Sequence, residues 1–146
     1  MMKLQVRQAV LSDIDWLLRL DPLASEDSGR RAHIEKAVAQ CECVVACERN
    51  EPDVPIGYGC LEKCFFGEWF IPLVVVSSAH RRSGVATQII IHLEHAASAK
   101  KIFTSTNLSN VAMQQLLVQI GYESSGRIEN LDPGDPELIF VKFFDS

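Results

Sequence analysis

Apolar positions along the chain switch between a two-residue and a three-to-four-residue period, and the switches outline its elements. Residues 4–8 read as a short opening strand. Ser12 is then expected to cap a first helix, with Asp15 in the capping-box position and Ile14, Leu17 and Leu18 on one face. Asp21-Pro22 ends it. A second helix over about 29–40 carries Ile34, Ala37 and Val38 at helical spacing. Residues 43–48 read as a strand, and residues 50–55, with two prolines, as a turn. Strands at about 56–65 and 68–76 follow, joined at Gly67 as a hairpin.

The strongest helical pattern runs over 83–99, where Ala86, Ile89, Ile90, Leu93 and Ala97 form an apolar stripe and Gln88, His92 and His95 the wet face. A short strand at 102–106 leads to a helix at 110–120, expected to be buried through Ala112, Met113, Leu116, Leu117 and Ile120. Gly121 fits the position that ends that helix. Strands at 122–128 and 138–144 close the chain around an Asp-, Pro- and Gly-rich turn. The order β-α-α-β-β-β-α-β-α-β-β predicts an α/β fold. Its strand directions should be mixed, since hairpins and crossovers both occur.

Length and composition narrow the function classes. The 146 residues suit one domain, 1–146, with a core that needs no disulfide or metal staple. A net charge of −5 argues against broad phosphate neutralisation, hence against a nucleic-acid partner, so any anion site must be local. The apolar run from Trp69 to Val76 is broken by Pro72 and is too short to span a membrane. Residues 1–7 lack the apolar core of a signal peptide, which predicts a cytoplasmic protein. Its five cysteines (Cys41, Cys43, Cys47, Cys60, Cys64) contain no C-x-x-C pair, so no metal site is expected. They read as small apolar residues, reduced in a cytosol, with Cys41, Cys43 and Cys47 on one strand face and Cys60 and Cys64 on the next.

The chemistry concentrates where the strand ending Val74-Val75-Val76 runs through Ser77-Ser78-Ala79-His80 into Arg81-Arg82-Ser83-Gly84-Val85-Ala86-Thr87. The N-terminus of the following helix has unpaired N–H groups and about half a positive charge. Gly84 and the small Ala86 let a ligand approach the backbone, and Arg82 adds a fixed charge. This is an anion site suited to a pyrophosphate. A solvated basic turn before a helix would carry the same residues. G-x-G-x-x-G and Walker A patterns are absent.

In its context this segment resembles the pyrophosphate motif of the GNAT superfamily of N-acetyltransferases, of the small single-domain bacterial type. A second stretch, Asn110-Val111-Ala112-Met113-Gln114-Gln115-Leu116-Leu117-Val118-Gln119-Ile120-Gly121-Tyr122, is similar to that family's N-x-x-A-x-x-L-Y-x-x-x-G-F with two substitutions. The resemblance covers nearly the whole chain. It implies a mixed, mainly antiparallel sheet of about seven strands flanked by about four helices, and acetyl-CoA as co-substrate without a metal. It further implies that Val74, Val75 and Val76 offer backbone groups to the pantetheine arm and thioester carbonyl. Arg81, Arg82, Ser83, Gly84, Val85, Ala86 and Thr87 would cradle the pyrophosphate, and Asn110 would contact the pantetheine arm.

Two positions depart from the family. Where many relatives carry a general-base Glu this chain has Pro72, and where many carry a Tyr that protonates the leaving thiolate it has Leu117. Glu68 lies on the same strand face as Pro72 and is the candidate base. Tyr122, His80, Cys60 and Cys64 read more simply as core or turn residues. The loop 126–137 is rich in acids; in the family this end of the sheet commonly borders the acceptor, which makes Glu129 and Asn130 candidate acceptor contacts. The implied activity is transfer of an acetyl group from acetyl-CoA to a primary amine, small molecule or peptide, by direct attack in a ternary complex. The alternative is a GNAT-fold regulatory module that binds acetyl-CoA with little or no turnover. A homodimer stays open.

Overall fold

In the computed structural model, which describes residues 3–145, the β-branched and alternating stretches form a seven-stranded sheet and the helical repeats form four α-helices. Met1 and Met2, the start of the stretch read above for a signal peptide, lie outside the described residues. In chain order the elements are β1 (Leu4–Gln8), α1 (Ile14–Leu20), α2 (Ser28–Ala39), β2 (Cys43–Glu48), β3 (Pro55–Phe65), β4 (Glu68–Val76), α3 (Val85–Ala97), β5 (Lys101–Asn107), α4 (Val111–Gln119), β6 (Glu123–Ile128) and β7 (Glu137–Phe143). Short 3-10 turns occupy Leu11–Asp13 and Ser78–His80. The strand order is β1-β2-β3-β4-β5-β7-β6. β4 and β5 run parallel, while β1–β2, β2–β3, β5–β7 and β6–β7 are antiparallel. The mixed α/β sheet expected from the sequence is the one observed.

The chain divides into two compact units, Met1–Leu61 with Leu73–Ala96, and Glu62–Pro72 with Ala97–Ser146. In the first, strand alternation sends Cys43, Val45, Cys47, Tyr58 and Cys60 into a core with Leu17, Ile34, Ala37 and Val38. The opposite face of β3 carries Gly57 and Gly59. A Cβ on Gly59 would stand 2.5 Å from Ile89 Cγ2, and one on Gly57 would stand 3.0 Å from Val85 Cγ1. The G-Y-G sequence thus lets α3 lie directly against the β3 backbone, while the intervening tyrosine fills the other side. Tyr58 donates to Asp21 Oδ2 at 2.5 Å, and Arg30 Nη1 reaches the same oxygen at 2.8 Å. Burial, then the hydrogen bond to Asp21, pushes the Tyr58 phenol well above its ordinary pKa.

Three local expectations change in this unit. Ser12 does not cap α1: Asp13 stands at the N-cap position, and it makes no side-chain cap bond to the helix. Its carboxylate accepts the Val10 N–H at 2.8 Å and a two-pronged contact from Arg7 at 2.8 and 2.9 Å. Burial opposes ionisation of Asp13, but these hydrogen bonds and the Arg7 charge hold its pKa below the usual value. Cys41 does not share the β2 face: it sits before the strand at φ 60 and is exposed. On α3 the buried positions are Val85, Ile89, Ile90, Leu93 and Glu94, so the stripe is shifted from Ala86 and Ala97.

In the second unit, the turn Phe66–Gly67 reverses the hairpin with both residues at positive φ (53 and 80). Phe65 stacks on Phe70 with centroids 4.9 Å apart and meets Phe103 at 5.2 Å. The β4–β5 register pairs Trp69 with Ile102, Phe70 with Phe103 and Ile71 with Thr104, and Thr104 Oγ1 donates to the Ile71 carbonyl at 2.8 Å. Helix α4 ends as expected at Gly121, φ 103: Gly121 N–H donates to Val118 O and Tyr122 N–H to Leu117 O. Leu117 and Tyr122 are buried, but Ala112 is exposed and Met113, Leu116 and Ile120 are half-buried, so α4 is less covered than its composition suggested. Cys64 is also exposed rather than sharing the buried environment of Cys60.

Candidate active site

Strand β4 leaves the sheet through Ser77, whose N–H donates to Ile56 O at 2.8 Å. The 3-10 turn Ser78–His80 follows, and Ser83 Oγ closes it by donating to the His80 carbonyl. Arg81 is extended (φ −67, ψ 152), Arg82 is left-handed (φ 63), and Gly84 is left-handed again (φ 83). A left-handed arginine is an unfavourable backbone choice costing about 1 kcal/mol, of the kind that accumulates at functional turns. Two left-handed residues, Arg82 and Gly84, thus lie immediately before the first turn of α3.

Gly84 O accepts the Gln88 N–H at 3.1 Å and so starts α3. The N–H groups of Val85, Ala86 and Thr87 therefore precede the first intrahelical donor. Arg81, Arg82, Ser83 and Gly84 are all exposed, and nothing lies within 4 Å of where a Gly84 Cβ would be. Among the described residues neither guanidinium has an ion-pair or hydrogen-bond partner. The 13-residue helix α3 adds its positive end. Backbone donors, helix dipole and unpaired arginines together make a local positive field on a chain of net charge −5. His80 differs from the solvated turn residue expected: it is half-buried, and its Nδ1 is buried without a hydrogen-bond partner. Neither that orphan nitrogen nor the left-handed Arg82 has a signal in the sequence.

The remaining candidates are found in varied states. Val74, Val75 and Val76 are half-buried on β4. Asn110 caps α4, its Oδ1 accepting the Met113 N–H at 3.2 Å, and is exposed. Glu68 opens β4 beside the hairpin turn, 3.7 Å from Lys101 Nζ. Glu129 is held by Arg127 at 2.7 Å, and Asn130 is exposed at φ 70. The acids beyond them are engaged internally. Asp135 accepts from the Ser109 N–H (3.0 Å) and hydroxyl (2.5 Å), Asp132 from Asn107 Nδ2 (2.8 Å), and Glu137 from Ser105 Oγ (2.6 Å). Among the described residues no three His, Cys, Asp or Glu side chains are grouped to hold a metal, and no helix is long and apolar enough to cross a membrane. A shallow hollow of about 640 Å³ is lined by Val10, Leu11, Ser12, Val38 and Ala39 and includes none of the turn residues.

Comparison with known proteins places the chain in a family. The acetyltransferase (GNAT) family model matches residues 11–122. A GNAT-family acetyltransferase from Bacillus cereus ATCC 10987 is 32% identical with a TM-score of 0.88, the match covering 99% of each chain. Two more distant structures share the fold. The Salmonella typhimurium protein yncA, solved with its cofactor acetyl-CoA, is 16% identical at TM-score 0.75, covering 98% of this chain and 95% of that one. An N-acetyltransferase from Staphylococcus aureus Mu50 is 16% identical at TM-score 0.77, covering 97% and 98%. No curated protein matches the chain. With the family model spanning well over half of the sequence, the chain belongs to the GNAT family of acetyltransferases.

Proposed function

We propose that this chain moves the acetyl group of acetyl-CoA to a primary amine by direct attack in a ternary complex. The observation that carries the reading is the turn 81–87, where two left-handed residues, two unpaired arginines and the open N-terminus of α3 converge. These features fit a diphosphate: the donors are main-chain N–H groups, and the space over Gly84 is free of protein atoms. The residues holding the cofactor's diphosphate would be Arg81, Arg82, Ser83, Gly84, Val85, Ala86 and Thr87. Acetyl-CoA supplies an activated acyl group as a thioester. N–H groups at Val74, Val75 and Val76 serve to polarise its carbonyl.

The transfer makes one N–C bond and breaks one C–S bond, and the proton lost by the amine balances the one gained by sulfur. At the positions where relatives keep a base and an acid, Pro72 has no ionisable group and Leu117 is buried in the core. Glu68 already faces Lys101. We therefore assign both proton movements to solvent, with the amine arriving neutral. We assign Glu129 and Asn130 no charge-based role toward the acceptor: Glu129 shares its charge with Arg127 in an exposed ion pair, and Asn130 carries none.

Thermal-shift titration with CoA, followed by thiol release over a panel of amines, tests the reading. Stabilisation by CoA and amine-dependent release are expected. No stabilisation would defeat the cofactor assignment. Binding without release by any amine would favour the regulatory module, which the missing acid and base at Pro72 and Leu117 motivate.

A further inference from the structure

We propose that Cys43 and Cys60 form a cross-strand disulfide when the protein meets a low-molecular-weight disulfide, making this buried dithiol a redox-modifiable site. The two residues are direct register partners between β2 and β3. Their pair is of the non-hydrogen-bonded kind. One step outward, Leu61 N–H donates to Glu42 O at 2.9 Å, and the Cys43 carbonyl accepts from Ala9 N–H at 2.9 Å, on the β1 side. Pairs of that kind bring Cα atoms to about 4.5 Å with the side chains at their closest. A disulfide accepts Cα separations of about 4.4–6.8 Å.

Directly opposed residues project to the same face, and here both thiols enter the core cluster at 1% and 0% exposure. The other three cysteines are not so placed. Cys47 pairs with Pro55 across a register shift, and Cys41 and Cys64 are exposed. All five are reduced thiols in this structure.

The chemistry balances as two thiol–disulfide exchanges. One protein thiolate displaces a small thiolate from R–S–S–R and forms a mixed disulfide. The second displaces the other, closing the S–S bond. Two S–H bonds are lost by the protein and two are gained by the small thiols, which take up the electron pair. Because both sulfurs are buried, exchange proceeds through local opening and takes minutes to hours. The bond closes the β2–β3 hairpin and restricts the unfolded chain, so it raises the melting temperature.

The test incubates the native protein with oxidised glutathione, blocks remaining thiols with iodoacetamide, and maps an unreduced tryptic digest by mass spectrometry. The expected product joins the peptide carrying Cys60 to the one carrying Cys43, with fragmentation placing the bond at Cys43. The melting temperature should rise by about 5 °C and return on adding dithiothreitol. Cys43→Ala and Cys60→Ala should each abolish the bond and the shift, while Cys41→Ser keeps both. Should either core variant fail to fold, the wild-type map decides alone. Blocking of all five thiols, a bond to any other cysteine, or arrest at a glutathione adduct would overturn the assignment.

Discussion

Two loops of this protein look equally suited to a charged ligand by composition, and they differ in whether their polar groups are free. The turn 81–87 carries two arginines, a serine and a glycine, and leaves both guanidiniums and the helix-start N–H groups without protein partners. The loop 126–137 carries more charge, yet its carboxylates are tied to Arg127, Asn107, Ser109 and Ser105. The first can exchange water for a ligand at little cost. The second would have to give up hydrogen bonds first, each worth about 1 kcal/mol net. Availability, set by backbone geometry and local pairing, distinguishes a binding loop from a structural one.

Breaking the first loop should have the largest effect. Gly84→Glu puts a carboxylate where the diphosphate is expected and should weaken CoA binding at least 100-fold by calorimetry. Gly84→Asn, which tolerates the left-handed backbone, should lose less. Retained affinity in Gly84→Glu would remove the distinction between the loops. A second effect concerns acid–base chemistry. With no side chain serving as base, kcat/KM should rise with pH along a limb set by the acceptor's own pKa. Two amines differing in pKa should shift that limb by the same difference, and Glu68→Gln should leave it in place.

Arg82→Gly sharpens the comparison further. Relief of the φ 63 conformation should hold or raise the melting temperature, while loss of the charge lowers CoA affinity about three- to tenfold. In the acidic loop the pattern should invert. Asp135→Ala removes two bonds to Ser109 and should lower stability by about 1–2 kcal/mol, seen as a fall of several degrees in melting temperature, with CoA affinity unchanged. Glu129→Gln should be the mildest, changing the amine KM less than about twofold. A tenfold rise there would return the acceptor site to this loop.

How far the sequence reached follows from which interactions leave a local trace. The element order was legible because most strands and helices carry a periodic apolar face, although β6 is exposed along its whole length, and Gly121 was legible because ending α4 calls for a left-handed residue there. Asp13 standing before α1 with its carboxylate turned back to Val10 and Arg7 was not, because that arrangement depends on Arg7 reaching across from β1. The buried contact of Asp21 with Tyr58 and Arg30 joins residues far apart in the chain and has no local signature. The pyrophosphate turn was visible through Gly84 and the arginines, while its left-handed Arg82 and the orphan Nδ1 of His80 emerge only on folding. Five cysteines in one segment said nothing of which are opposed; register alone pairs Cys43 with Cys60.

The most direct test of the central claim is a titration of the ¹⁵N-labelled protein with CoA, followed through backbone amide shifts. A cradle made of main-chain donors predicts the largest shifts at the amides of Ser83, Gly84, Val85, Ala86 and Thr87, and negligible ones at Leu131, Asp132 and Gly134. Shifts centred on residues 129–137, or saturation of CoA binding with the 83–87 amides unmoved, would contradict it.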